Sequence, residues 1–370
     1  MNQYSARQRL RLDVQYLFGL LALLVTIGIV FVYSASSIFA LENYGSAAYF
    51  MKKQLICLVL GLIGMFVIAA IPLNKIKQLV PWAFLGSLCL TILTLIPKFA
   101  PKIHGSSRWL FMGGFGFQPS ELLKWTLLLY IAYLLEKHWF QKGLFLKTAI
   151  PIGLITGVSS LILLRQPDFG LTVTLCATIF ILLFIARFKL KYLLSILLLS
   201  LPALVYLIMT KAYRLKRVLT FLNPWEDPKG AGFQVIQSLI AIGSGGAFGV
   251  GISNSKQKFF YLPMQHTDFI FSIIAEETGF VGALALITIY LLFAYLGIKI
   301  ALMLKDYFAI FVTLSFIVFN TLQALINLCV SAGLFPTKGI GLPFVSYGGA
   351  AIIANCLMAG VIISCVRDYR

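Results

Sequence analysis

Acidic side chains are scarce in this chain, with 12 Asp and Glu among 370 residues against 30 Lys and Arg. Charged residues of both signs make up 11% of the sequence, less than half the share usual in a soluble domain. Too few charges remain to cover a water-soluble surface, which excludes a soluble globular protein. The six cysteines (57, 89, 176, 329, 356 and 365) have no CxxC spacing, and the three histidines (104, 138 and 266) are far apart in sequence. A disulfide framework and a zinc site are therefore not expected, and the cysteines read as small buried apolar groups. There is no HExxH, no Ser–His–acid signature, and no glycine run of the GxGxxG or GxxxxGK[ST] kind. Internal repeats and low-complexity segments are absent as well. The net charge of +18 carries no nucleic-acid signal, because the cations lie between apolar runs rather than in one stripe.

What is abundant is apolar sequence, 60% of the chain. Ten apolar runs lie near 14–34, 53–71, 80–97, 119–136, 148–164, 170–187, 191–209, 269–298, 307–331 and 349–366. Their lengths suit membrane spans, and the eighth is long enough to tilt or to project beyond the bilayer. Arg7, Arg9 and Arg11, an apolar run and then Ser34-Ala35-Ser36 superficially resemble a cleaved signal. The run Val14–Tyr33 is too long for a signal core and reads as a retained first span. The expected fold is an all-α polytopic membrane protein of about ten transmembrane helices, one membrane domain over 1–370, with one long extracytoplasmic loop at 210–268.

Orientation follows from the cations of the short loops. One side collects 15 of them: Arg7, Arg9, Arg11, Lys75, Lys77, Lys137, Lys142, Lys147, Arg187, Lys189, Lys191, Lys299, Lys305, Arg367 and Arg370. The other side holds 7, from Lys52 and Lys53 through Lys98, Lys102, Arg108 and Arg165 to Lys338. The richer side is expected in the cytoplasm, with both termini there. The long loop is exempt, since long loops translocate largely regardless of charge. The outer face then receives 35–52, 98–118, 165–169, 210–268 and 332–348, where nearly all the unusual residues lie.

The chain is organised around Tyr261-Leu262-Pro263-Met264-Gln265-His266-Thr267-Asp268-Phe269-Ile270-Phe271, which closes the long loop and opens the eighth span. Asp268 sits where water, the membrane interface and a helix N-terminus meet. A carboxylate there reads equally as an acid favoured by the helix dipole or as a general base or ion ligand. His266 reads first as a positioned polar group beside it. Earlier in the loop, Tyr213–Leu222 suits a short basic amphipathic helix, 223–230 a turn, and Phe233–Ile242 an interfacial helix. The glycine runs at 243–246 and 248–251 read as turns and close packing, with phosphate approach as the alternative.

Other charges fall at the same face. Glu121 and Lys124, three apart just inside the fourth span, share a helix face and read either as a structural ion pair or as the lining of a polar cavity. In Arg165-Gln166-Pro167-Asp168-Phe169-Gly170 an Arg165–Asp168 pair would fix the turn, with anion binding as the alternative. Arg108-Trp109 suits an interface anchor or a phosphate contact. Lys338 in Pro336-Thr337-Lys338-Gly339, and Ser346 in Ser346-Tyr347-Gly348-Gly349, read as turns or as phosphate or partner contacts. Glu276 and Glu277 point about 100° apart, so only one can readily face a given cavity. Asn320, Gln323 and Asn327 form a polar stripe suited to interhelical hydrogen bonds. Two classes of function fit: an enzyme on an anionic lipid-linked substrate, favoured by charges gathered at one face, or a transporter, favoured by broken helices and midplane charges.

Four motifs then carry a resemblance. Arg108-Trp109 with Phe117-Gln118-Pro119-Ser120-Glu121, the Arg165–Gly170 turn, His266-Thr267-Asp268-Phe269-Ile270-Phe271 with Glu276-Glu277, and Pro343-Phe344-Val345-Ser346-Tyr347-Gly348-Gly349 occur in order over nearly the whole chain. Together they resemble the SEDS family (shape, elongation, division, sporulation). Asn254–Lys258, Gln323–Asn327 and Pro336–Gly339 are more similar to its cell-division members than to its elongation members. The resemblance implies a ten-helix peptidoglycan glycosyltransferase that polymerises lipid II in the bacterial inner membrane, at the septum for a division member. It implies work with a class B penicillin-binding protein and other division proteins. It places the family's essential aspartate at Asp268 and its intramembrane acid and lysine at Glu121 and Lys124. Many members carry a glutamate where this chain has Met264, which removes a second acid from that motif. The implied chemistry makes Asp268 a general base. Arg108, Lys124, Arg165 and Lys338, or a divalent metal such as Mg or Mn, would stabilise a departing diphosphate, and His266 and Ser346 are further substrate contacts. A lipid II flippase and a non-catalytic division scaffold are the competing expectations.

Overall fold

The computed structural model describes residues 3–101, 107–112, 115–140, 145–258, 263 and 265–368. Lys102, His104, Lys142, Tyr261, Leu262, Met264 and Arg370, named above, lie outside the described residues.

All ten expected spans are helices, in the expected order: α1 (Gln3–Tyr44), α2 (Tyr49–Ala70), α3 (Leu73–Leu93), α4 (Pro119–Phe140), α5 (Phe145–Arg165), α6 (Phe169–Ile185), α7 (Leu190–Met209), α10 (Ile270–Met303), α11 (Tyr307–Ser331) and α12 (Gly349–Arg367). Among the described residues eight are long and apolar enough to cross a membrane by themselves. The other two are α4, which carries Glu121 and Lys124, and the shorter α6. Both pack against α11, one of the most buried helices, so neither relies on lipid to cover its polar groups.

The third span starts earlier than the apolar run at 80. Extended Pro72 ends the α2–α3 connection, and Leu73 N–H donates to the Asp368 carboxylate at 2.8 Å. Pro81 lies within α3, where it removes one internal hydrogen bond without ending the helix. α10 is long for a different reason. Gly279, at φ 68° and ψ −167°, breaks it into 270–278 and 280–303. Residues 280–303 alone cover about 36 Å, enough for the hydrocarbon core, so the excess length belongs to the piece before the break.

In the long loop, α8 (Ala212–Leu222) is the expected basic amphipathic helix, and residues 224–226 form a short 3-10 turn. α9 (Phe233–Ser244) is the expected apolar helix of the loop. It docks on α10 and α11, burying Val235, Ile236 and Ala241, and Ser238 Oγ donates to Ser331 O at 2.6 Å. The following glycines press into the α10 break. A Cβ on Gly249 would lie 2.2 Å from Glu277 O, which is the close-packing reading of that run.

One pair of strands was not expected. β1 (Leu110–Met112) and β2 (Phe115–Phe117) form an antiparallel hairpin in the loop before α4, with Leu110 opposite Phe117. Its signal was present in the sequence, a Gly-Gly pair between alternating aromatics. The cysteines are all free, as expected, but Cys89 and Cys176 are exposed on the bundle surface rather than buried.

Candidate functional site

The stretch 265–268 is held residue by residue. Gln265 Nε2 donates to Ala35 O of α1 at 2.7 Å. The Tyr347 N–H donates to His266 O at 3.0 Å, and Ser346 Oγ to Thr267 O at 2.5 Å. Asn327 Nδ2 of α11 donates to Asp268 O at 2.7 Å and to Ile340 O at 2.7 Å. The backbone under Asp268 therefore has one position, set by three separate parts of the chain.

The Asp268 carboxylate has no such partner. Among the described residues nothing donates a hydrogen bond to it, and the cap position of α10 is taken by Phe269 without a side-chain bond. Asp268 therefore does not cap α10 with its side chain. The side chain is half-buried and faces Gly339, where a Cβ would lie 3.5 Å from Asp268 Oδ2. Gly339 has φ +62°, a conformation that suits glycine, so the wall opposite the carboxylate stays thin. Burial pushes the Asp268 carboxyl up to about 6, the Arg217 and Arg108 charges pull it down, and Asp168 pushes it up.

The remaining acids of this face are engaged. Asp168 pairs with Arg108 at 3.6 Å and caps α6 by accepting from Leu171 N at 3.3 Å. Arg108 Nε also donates to Gln166 O at 3.0 Å and Nη2 to Pro167 O at 2.5 Å. The turn is thus fixed by Arg108, from a distant loop, and not by Arg165 as expected. Asp168 turns inward to cap α6, whereas Arg165 ends α5 on the exposed side, with no ion pair among the described residues. Burial still pushes Asp168 above the usual carboxylate range. Glu121 and Lys124 form the expected pair at 2.5 Å. Lys124 is 1% exposed and lies over the rings of Trp125 (5.4 Å) and Phe319 (5.2 Å). Its charge reaches Asp168 and not open solvent.

His266 is boxed by Phe50 at 4.5 Å, Tyr347 at 5.8 Å and Phe39 at 6.0 Å. Burial pushes its pKa down to about 4, so the ring is neutral at pH 7 and holds position rather than carrying charge. Ser346 is a clamp, since its Oγ also accepts from Leu342 N at 2.7 Å. Lys338 is half-buried, 5.8 Å over the Phe335 ring, and burial lowers its pKa. Its carbonyl oxygen would lie 2.9 Å from a Cβ on Gly170, so the 332–348 loop is seated on the start of α6. The fold thus gathers Asp268, Arg108, Asp168, Glu121, Lys124 and Lys338 around one site. Ser346 and His266 hold its backbone frame, and Arg165 is exposed at the adjoining end of α5.

Three contributors were not singled out for this site from the sequence. Arg217 of α8 reaches Thr337 O at 3.2 Å and is the largest charge lowering the Asp268 pKa. Asn327, and Gln323 with its 2.8 Å bond to Gly341 O, were expected to join helices, yet they hold the loop under and opposite Asp268. The amphipathic pattern of α8 and the polar stripe of α11 marked these residues, but no local signal named their partners.

Glu276 and Glu277, expected to point in different directions, do reach different partners, and both are buried and satisfied. Glu276 accepts from Ser255 Oγ and from Lys256 N at 2.9 Å. Glu277 accepts from Ser34 Oγ at 2.6 Å and faces Lys258 Nζ at 3.8 Å. The helix break beside them therefore holds no open acidic site. Among the described residues, no three His, Cys, Asp or Glu gather as a metal cluster.

Known proteins share this architecture. The chain is 41% identical to a protein of Geobacter sp. (strain M18) named "Probable peptidoglycan glycosyltransferase FtsW", over 94% of this chain and 95% of that one. It is 36% identical to "Stage V sporulation protein E" of Bacillus subtilis, again over 94% and 95%. Its fold matches a structure described as "Structural coordination of polymerization and crosslinking by a peptidoglycan synthase complex", with TM-score 0.78 and 32% identity over 96% of this chain and 98% of that one. The crystal structure of the Thermus thermophilus rod shape determining protein RodA matches at TM-score 0.71 and 27% identity, over 95% and 96%. Residues 14–370 match the family model described as "Cell cycle protein", the FtsW, RodA and SpoVE family, and the chain belongs to that family.

Proposed function

We propose that the chain is a peptidoglycan glycosyltransferase that polymerises lipid II, an undecaprenyl-diphosphate-linked disaccharide peptide, into glycan strands during septal wall synthesis. The observation that carries this reading is Asp268, a desolvated carboxylate on a fixed backbone with no hydrogen-bond donor among the described residues. A pKa of about 6 is well suited to a base that must be ionised near neutral pH and still accept a proton. Relatives named as peptidoglycan glycosyltransferases support the same assignment.

The reaction joins an acceptor sugar hydroxyl to the anomeric carbon of the donor. The hydroxyl oxygen forms the new glycosidic bond as the bond from that carbon to the diphosphate breaks. The undecaprenyl diphosphate leaves with the bonding electrons, the hydroxyl proton passes to Asp268, and the configuration inverts. Arg165 and Lys338 are left to meet the diphosphate. Arg108 and Lys124, engaged with Asp168 and Glu121, shape the field around it. Asp168 is used by Leu171 N–H and Arg108, so a divalent cation of the Mg or Mn kind would be held by Asp268 and substrate oxygens. When bound, it would supply positive charge for the leaving diphosphate.

A lipid II flippase is the weaker reading, because the acids beside the broken helix are saturated by Ser34, Ser255 and Lys258. A class B penicillin-binding protein and other division proteins are the proposed partners. The proposed location is the bacterial inner membrane at the septum, with both termini cytoplasmic. The test is strand synthesis from labelled lipid II by the purified protein with its cognate transpeptidase. Strands are expected from wild type and none from Asp268→Ala. Equal strands from both would remove Asp268 as the base, and no strands from either would overturn the polymerase.

A further inference from the structure

Among the buried residues of α2 one is polar, Gln54, at 2% exposure beside Phe50, Gly61 and Met65. A buried amide in a membrane helix is costly unless both of its ends are bonded. Both are, and to the same short segment. Gln54 Nε2 donates to Ser346 O at 3.3 Å, and Gln54 Oε1 accepts from Gly348 N at 3.2 Å. A carboxamide suits this task because it presents a donor and an acceptor side by side.

The segment that Gln54 holds is the one that frames Asp268. Ser346 Oγ donates to Thr267 O, and Tyr347 N–H donates to His266 O. Phe50, one turn before Gln54 on the same helix face, places its ring 4.5 Å from that of His266 and 5.0 Å from that of Tyr347. α12 begins at Gly349, where a Cβ would lie 2.6 Å from Cys57 Sγ, so α2 meets the start of α12 directly. Gly348 offers no side chain to hold this turn, and the Gln54 acceptor takes its N–H. Two residues before Ser346, Phe344 has φ +66°. That conformation is unfavourable for a phenylalanine and persists where the surrounding structure fixes the chain. Gln54 supplies two of the fixing bonds.

We infer that Gln54 is a positioning residue for the reaction at Asp268, holding residues 346–348 on α2 so that Ser346 and Tyr347 keep the 266–268 backbone in place. It acts through that segment and not on the reacting atoms. The Asn327 bond to Asp268 O comes separately from α11, so loss of Gln54 is expected to loosen the site rather than to unfold it. The inference rests on the glycosyltransferase reading of Asp268 and adds α2 to the parts of the fold that serve it.

The test pairs strand synthesis from labelled lipid II with amide hydrogen exchange, on the full chain with its cognate transpeptidase. Gln54→Met keeps the length of the side chain without either bond, and Gln54→Asn keeps the amide but withdraws it by one methylene. Both should lower kcat by about tenfold with KM within about twofold of wild type, the mark of lost orientation. Exchange at the Tyr347 amide, whose partner is His266 O, should rise in both. In a double-mutant cycle, Gln54→Met with Ser346→Ala should cost less than the product of the two single losses, because both act on one link. Losses that multiply fully would make Gln54 a structural residue of α2 and overturn the inference. Wild-type kcat in both variants, or unchanged exchange at Tyr347, would overturn it too. An inactive wild type would sink the polymerase reading, and exchange at Tyr347 would still decide whether Gln54 fixes this backbone.

Discussion

Two groups of carboxylates lie within ten residues of each other at the start of α10, and the fold treats them in opposite ways. Glu276 and Glu277 are 1% exposed, and each is met by hydroxyls, a backbone N–H or a lysine. Asp268 is half-buried, yet only its backbone oxygen is bonded among the described residues. Burial without pairing raises the free energy of an ionised acid, whereas burial with pairing makes the acid a structural joint. The first pattern is what the proposed general base requires, and the second ties α1 and the long loop to α10.

The largest expected effect separates the two. Asp268→Asn should lower strand synthesis by about 10²- to 10⁴-fold, the usual contribution of a general base. The same change should raise thermal stability at neutral pH. The Asp268 pKa is about 6 in the fold and near 3.9 in an unfolded chain, so ionisation costs the fold stability as pH rises between those values and by a constant amount above about 6. Removing the charge returns about 1–3 kcal/mol, read as a higher melting temperature in detergent. A variant that stays active, or that melts lower, would break the contrast.

Glu277→Ala should act the other way, lowering stability by about 3–5 kcal/mol because Lys258 is left buried without its acid. A melting temperature equal to wild type would count against the structural role. Asn327→Ala removes the donor shared by Asp268 O and Ile340 O, at about 1–3 kcal/mol for the unmet groups. Turnover is expected to fall about tenfold, with less change in KM, as positioning rather than binding is lost. The smallest effect concerns pH. Activity should fall below about pH 6 as Asp268 takes up its proton, and Arg217→Gln should move that acidic limb upward by removing a charge that favours the ionised form. An unmoved limb in Arg217→Gln would detach Arg217 from the site.

Much of the scaffold was legible because a bilayer imposes one rule on every span. Apolar runs of the right length must become helices, so ten runs became ten helices. Boundaries failed where charge masked helix, as at Lys75 and Lys77 before the apolar part of α3, and where glycine broke a helix without breaking its hydropathy, as at Gly279. The site was legible in part. Asp268 and the Glu121–Lys124 pair stood out because charge inside or beside a span is costly unless paired or used. The partner of Asp168 was misassigned to Arg165, three residues away, because sequence proximity says nothing about which way a helix end faces.

By itself, the sequence determined the helical membrane class, the order of the spans and the place of Asp268 at the end of its polar loop. Each is a local property of hydropathy and length. Only the tertiary structure decided which acids are satisfied. Arg108 reaches Asp168 from a loop 60 positions earlier, Ser34 crosses from α1 to Glu277, and nothing among the described residues crosses to the carboxylate of Asp268. Pairing depends on distance in space, and that distance exists only once the helices have packed.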